Sequence, residues 1–419
     1  MTPTLEGVTV LSLEQATVLP FLTYRLACDG ARVIRVENAE RPDPNRFVGK
    51  DVLGEHDMRS YFLPNNCGKE AVTLNLAEAE GRDILRELVR RLRVDIFATN
   101  QRPRSYAKLG IDDATLRAVK PDLIWLGVTG FGPDHDEAAY DPILQARAGF
   151  MELTGAPDGP PTVFGLPMVD LGAAEHGYGA IMKALYRRAM TGAGARLDLS
   201  MLRSAVSWMV APIFFSASLG ERITRTGTTH QFFAPVSVLR TCDGYVYLAV
   251  GNDAQWAALA NLPAFAGLDR PEWVANAGRI VDAERLHREL GERVGRLQTA
   301  EAQALLREAG VPVSRVNTLA DVVGDPLVAP RLVHVRDPRT GLTVALPPPV
   351  VGDPLVAPRL VHVRDPRTGL TVALPPPPVG DPPPLTFPPR LGEHNAKIYG
   401  ETLGYPPERL ADLRGRRII

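Results

Sequence analysis

Cysteine is nearly absent from these 419 residues: Cys28, Cys67 and Cys242 stand far apart, and no two form a CxxC pair. An odd, scattered set excludes a disulfide framework and a cysteine-based zinc site, and it fits a reducing, cytoplasmic compartment. Net charge is equally scarce, since 47 Lys and Arg against 48 Asp and Glu leave −1. That balance gives no bulk attraction to nucleic acid or to an anionic membrane. Lysine is confined to Lys50, Lys69, Lys108, Lys120, Lys183 and Lys397. Long apolar runs are missing too. The longest uncharged stretch, Ser204 to Gly220, holds Pro212 and several serines and reads as a buried helix rather than a membrane span. No basic leader followed by an apolar block opens the chain, so no secretory signal is expected. There is no GxSxG elbow, no Walker A loop and no GxGxxG after the first strand. Gly192-Ala193-Gly194 follows a helical pattern and reads as a helix stop.

What is present is alternation. Residues 8–13 and 32–37 read as strands around a helix at 20–28. A helix at 80–93, a strand at 94–99, a helix at 113–119 and a strand at 123–129 follow. Strands alternating with helices predict an α/β fold with a parallel sheet, whose ligands bind beyond the carboxyl ends of the strands. Gln15, Asn100 and Gly130 fall at such ends. After about Thr226 the pattern changes to β-rich (232–250) and then to helices near 253–261, 282–296 and 299–308. We therefore expect a large domain of 1–200 with 385–419, a linker helix at 201–225 and a small α/β domain at 226–325. Residues 326–384 read as a proline-rich linker.

That linker carries an exact tandem copy: 323–349 recurs unchanged at 351–377. Solenoid repeats drift and need at least three copies. Two identical copies imply a recent duplication or a sequence-assembly error, with one copy surplus to the fold and expected to loop out or pack poorly. His334 and His362 are one residue counted twice, not a paired metal site.

The most informative stretch is GLPMVDLGAAEHGYGAIMKALYRRAMTGAGARLDLSMLRSA, residues 165–205. An apolar, strand-like run from Val163 to Val169 meets a helical pattern from Leu171 to Arg188, with Asp170 at the junction. Asp170 reads first as a helix N-cap. A helix N-terminus also favours negative charge by about 0.3–1 kcal/mol, which would keep the carboxylate ionised and able to attack a carbonyl. Small residues after it, from Gly172 to Ala180, would let a ligand approach closely.

The opening LEGVTVLSLEQATVLPFLTYRLACDGARVIRVENAERPDPNR resembles that of the class III CoA-transferases, the formyl-CoA and carnitine CoA-transferase group. The resemblance continues through Lys69 and VTLNL (72–76), Asn100, Arg102-Pro103, the turn Gly130-Phe131-Gly132-Pro133 and YDPILQA (140–146). It resumes at Asp170, LDLSML and LGEHNAKI. It implies a Rossmann-like large domain, a smaller α/β domain, long linkers and two chains interlocked as a homodimer. It also implies a nucleophilic Asp170 that carries first an acyl group and then CoA between an acyl-CoA thioester and a free carboxylic acid. Neither metal nor tightly bound cofactor is needed, and neither nucleic acid nor membrane is an expected partner.

By the same resemblance Asn100 and Lys108 match CoA-binding positions, Gln15 lies in the loop after the first strand, and Tyr140 stands beside the site. Lys69, Arg102, Arg46 and Arg104 are further candidates for the CoA phosphates. Val18-Leu19 replace an Ala-Gly pair, Thr17 replaces a glutamine, and Val250-Gly251-Asn252-Asp253 stands where formyl-CoA transferase has a tetraglycine loop. These departures argue against formyl-CoA and oxalate as the specific pair. Two other readings remain open. An α-methylacyl-CoA racemase would pair a histidine with an aspartate, but Tyr140 occupies the aligned position and His135-Asp136 falls early. A non-catalytic CoA-binding protein is the second. His230, Gln231 and Phe232 are candidates for acid specificity.

Overall fold

The computed structural model describes residues 3–135, 137–347 and 385–419, together with the backbone of the short strands 361–364 and 371–374. The chain divides into two compact units. One comprises Met1–Ala148, Gly165–Ala211 and Arg331–Ile419; the other comprises Gly149–Phe164 and Pro212–Pro330.

The first unit is built on six strands: β1 (Thr9–Leu13), β2 (Arg32–Glu37), β3 (Lys69–Thr73), β4 (Ile96–Thr99), β5 (Ile124–Thr129) and β6 (Ala195–Ser200). They form one parallel sheet in the order β3-β2-β1-β4-β5-β6. The inner strands β1, β4 and β5 are rich in Val, Ile, Leu and Phe because helices cover both faces there, whereas β6 at the sheet edge alternates with exposed Arg196 and Asp198. Leu11, Ile34, Val72, Phe97 and Trp125 join Ile84, Leu85 and Leu88 of the Ala79–Arg91 helix in one core. Strand order reverses between β1 and β4, and the crevice above their carboxyl ends is where such sheets accept ligands.

The second unit carries an antiparallel sheet of β7 (Val236–Arg240), β8 (Tyr245–Ala249) and β9 (Val313–Arg315). It packs on helices at Asp253–Ala260, Ala283–Val294 and Thr299–Glu308 around Trp256, Trp273, Leu286 and Leu306.

Several expectations are corrected. Lys69–Thr73 is a strand that alternation alone did not reveal, because Lys69 and Glu70 open it. The run 163–169 is not a strand: Val163, Phe164 and Leu166 are exposed, and the helix already begins at Met168. The stretch around Pro212 forms a helix, Val210–Leu219, but none of its residues is buried in the single chain.

Residues 326–347 are not an extended linker throughout. Strands β10 (Val333–Arg336) and β11 (Thr343–Leu346) form a hairpin whose Val335 and Leu346 pack with Tyr24, Met58, Phe62 and Phe387. Buried Asp337 accepts two bonds from the Arg390 guanidinium, at 3.1 and 2.9 Å. The second copy repeats the hairpin as β12 (Val361–Arg364) and β13 (Thr371–Leu374) in the same register. The rest of that copy, and with it the expected looping-out, lies outside the described residues. The first copy is the one seen filling the core.

Candidate active site

The Met168–Thr191 helix starts at Pro167, which offers no side-chain cap. Asp170 is therefore the third residue of the helix and not its cap. The capping oxygen comes from another helix. Asp141 Oδ2 accepts the backbone N–H of Val169 at 2.7 Å and of Asp170 at 3.0 Å. Asp141 sits in the first turn of the Asp141–Arg147 helix, is buried, and is held by the Gln145 side-chain amide. Its carboxylate thus satisfies orphan helix donors that nothing local could reach.

This arrangement reverses the expected electrostatics at Asp170. Burial first, and the neighbouring Asp141 carboxylate second, push the Asp170 carboxyl up to about 7. The helix N-terminus does not hold it fully ionised, since its two N–H groups are already spent on Asp141. Two of the small residues that follow, Gly172 and Gly177, serve packing. A Cβ on Gly172 would meet the Trp208 ring at 2.4 Å, and one on Gly177 would meet Leu22 at 2.5 Å.

Asp170 lines a cavity of about 170 Å³ at the carboxyl ends of β1, β4 and β5. Gln15, Asn100, Arg102 and Tyr140 line the same cavity, so five of the sequence-predicted residues converge. Asn100 is tied down: its Oδ1 accepts the Gln15 N–H at 3.1 Å, and its Nδ2 donates to the Gln15 carbonyl at 2.8 Å. Tyr140 is exposed and precedes Asp141 as the first residue outside its helix. His135 also lines the cavity, while its neighbour Asp136 lies outside the described residues.

Lys108 lines a second cavity of about 420 Å³ that shares Gln15 and Gln101 with the first and adds Arg41, Asn75 and Ser105. Arg104 is exposed and lines neither cavity.

Lys69 and Arg46 are not available to phosphates. Lys69 is fully buried and donates to Glu14 Oε1 and the Pro20 carbonyl, both at 2.8 Å, and to Asn66 Oδ1 at 3.1 Å. Burial, opposed by Glu14, brings its ammonium down to about 8. Arg46 is equally buried and forks onto both Glu37 oxygens at 2.9 and 2.7 Å. Burial alone would raise the Glu37 carboxyl, but Arg35 and Arg46 hold it down at about 2. His230, Gln231 and Phe232 belong to the second unit, where His230 lies against Phe232 and Phe233. Among the described residues no group of three or more His, Cys, Asp or Glu side chains could hold a metal ion.

The sequence reading passed over Asp141 as part of YDPILQA. The Asp-Pro pair signals a helix start, but the bond that Asp141 accepts from Val169, 28 residues later in another helix, is a tertiary fact.

The sequence pattern of CoA-transferase family III matches residues 5–360. The chain belongs to this family. Its acetyl-CoA:oxalate CoA-transferase from Acetobacter aceti is 33% identical over 336 residues, 79% of this chain and 85% of that protein. The succinate–glutarate CoA-transferase of Agrobacterium fabrum is 30% identical over 341 residues, 80% of this chain and 85% of that protein. A CAIB/BAIF family protein from Brucella suis has a similar structure, with a TM-score of 0.79, 29% identity and coverage of 96% and 100%. The protein is thus a CoA-transferase, an enzyme with the α/β, Rossmann-like sheet of its relatives. No helix among the described residues is long and apolar enough to cross a membrane.

Proposed function

We propose that this family III CoA-transferase moves CoA from an acyl-CoA thioester to a free carboxylic acid through covalent intermediates on Asp170. One observation carries the reading: a half-buried carboxyl with its pKa lifted to about 7 faces a cavity at the strand-order reversal, beside Gln15, Asn100 and Arg102. A carboxylate of raised basicity is a better nucleophile once ionised.

The steps follow from the balance of bonds. The Asp170 carboxylate attacks the thioester carbonyl, forming a mixed anhydride and releasing CoA thiolate. The thiolate attacks the aspartyl carbonyl, forming an aspartyl-CoA thioester and releasing the donor acid. The acceptor carboxylate displaces CoA from that thioester, and the thiolate then attacks the acceptor's carbonyl. Water must be excluded throughout, because the anhydride hydrolyses. The second cavity, with Lys108 and Arg41, is suited to the phosphate-bearing end of CoA, and the shared Gln15 and Gln101 connect it to the reacting end.

The relatives are named for short dicarboxylic acids, so succinate, glutarate and oxalate lead the panel of acids to try. A homodimer belongs to the same proposal. Ile213, Phe214 and Leu219 of the second unit are exposed in the single chain, an apolar face that a second copy would cover. A cytoplasmic setting suits three free cysteines.

Hydroxylamine added during turnover tests the reading. Mass spectrometry should find a hydroxamate on Asp170 that depends on acyl-CoA. A hydroxamate elsewhere, or none while turnover proceeds, would overturn it.

A further inference from the structure

Ala16 lines the same cavity as Asp170, and it holds a left-handed backbone, φ 62°. That conformation costs an L-residue with a Cβ, and it persists only where the surroundings impose it. Here they do so completely. The Ala16 N–H donates to Asp43 Oδ1 at 3.0 Å, and the Ala16 carbonyl accepts from Asn45 Nδ2 at 2.7 Å. The N–H and carbonyl of the preceding Gln15 are both bonded to the Asn100 side chain, at 3.1 and 2.8 Å. Four successive backbone groups are thus taken by side chains of two other loops.

The clamp is itself rooted. Asp43 Oδ1 also accepts the Asn45 N–H at 3.0 Å, and Asp43 Oδ2 accepts from buried Arg35 at 3.0 Å. Arg35 in turn belongs to a buried set of ions with Glu14, Glu37, Lys69 and Arg46. A wall of the cavity is thereby locked to the sheet. A relaxed Ala16 with negative φ would turn the peptide planes at 15–17 and redraw that wall.

We infer that Asn45 is a positioning residue for CoA transfer, acting through the strained Ala16 backbone rather than by touching substrate. This rests on the assignment of Asp170 as the nucleophile. It gives Asn45, a buried polar residue that lines neither cavity, a task in the reaction, while Asp43, which lines the second cavity, anchors the same turn.

The test uses the full-length enzyme, acyl-CoA and an accepted acid. Asn45→Ala should lower kcat about tenfold and leave KM for acyl-CoA within about twofold. Ala16→Gly in the Asn45→Ala background should return most of the loss, since glycine adopts positive φ without the clamp. A merely structural Asn45 would show no such rescue. The milder Asn45→Ser, too short to reach the Ala16 carbonyl, is read in the same way should Asn45→Ala fail to fold. Unchanged kcat in the Asn45 variants, or a loss that Ala16→Gly does not relieve, overturns the inference. Hydroxylamine labelling of the wild type separates the two claims. Without label on Asp170 the nucleophile reading fails; with it, and with kcat unmoved by Asn45 variants, the positioning claim fails alone.

Discussion

Asp141→Asn isolates the electrostatic part of the site. The asparagine keeps an oxygen of the same shape, so the N–H groups of Val169 and Asp170 retain an acceptor. What is lost is a negative charge beside Asp170, together with the second oxygen that accepts from the Gln145 amide. The Asp170 carboxyl is lifted from 3.8 to about 7 by burial in the larger part and by Asp141 in the smaller. Removing the smaller part should lower it by roughly 1 pH unit. Only ionised Asp170 can attack, so the acid limb of kcat/KM should have its midpoint near 7 in the wild type and near about 6 in the variant. At about pH 6 the ionised fraction would then rise from roughly a tenth to roughly a half. Replacing a charged acceptor by a neutral one should cost about 1 kcal/mol of stability. The assay is kcat/KM for acyl-CoA between about pH 5 and pH 9, each enzyme scaled to its own plateau. An acid limb that stays put or moves to higher pH would refute the reasoning, since Asp141 would then not be disfavouring the ionised form.

Asp170→Asn should abolish CoA exchange, by about a thousandfold or more in kcat. It should also change stability with a definite sign: a raised carboxyl contributes stability that is complete below about pH 4 and is lost as pH rises through about 7, so the variant gains roughly 1–3 kcal/mol over wild type at about pH 8 and little at about pH 4. Equal gains at both pH values in urea melts would contradict this. Lys69→Met should cost about 3–5 kcal/mol, because Glu14 is left buried without its partner; a folded variant changed only in its KM for CoA would restore the phosphate-ligand reading. Deleting residues 351–378 should leave melting temperature and activity unchanged, because Val335, Leu346 and Asp337 of the first copy already fill the core. Loss of folding on deletion would show that the second copy is required.

The sheet was legible where burial on both faces wrote itself as apolar runs, as in VTVLSL and RVIRVE. It was illegible at Lys69–Thr73, where a buried lysine and a half-buried glutamate open a strand and take their charged partners, Glu14, Arg32 and Lys397, from far along the chain. Asp170 was found from its place before a helical pattern, but its cap role was misassigned, because the cap lies on a helix beginning at Asp141. Asn100 lines the cavity as expected from its place after β4, and its amide also ties down the Gln15 backbone, a pairing no local pattern encodes. Lys69 and Arg46 were marked by charge alone, and charge carries no information on burial. Residue type and order locate the crevice; which polar atoms remain free within it is decided by long-range pairing that no local pattern encodes.

The account's central claim is that a carboxylate oxygen of Asp170 is exchanged during CoA transfer. A single turnover with an acceptor acid labelled with heavy oxygen in both carboxylate positions reads this directly. Displacement of CoA by the labelled acid, followed by thiolate attack on the acid's carbonyl, leaves the bridging oxygen on the enzyme. The account predicts one heavy oxygen in the Asp170 side chain after transfer in unlabelled water. Turnover that leaves Asp170 unlabelled, or places the heavy oxygen on another side chain, would contradict it.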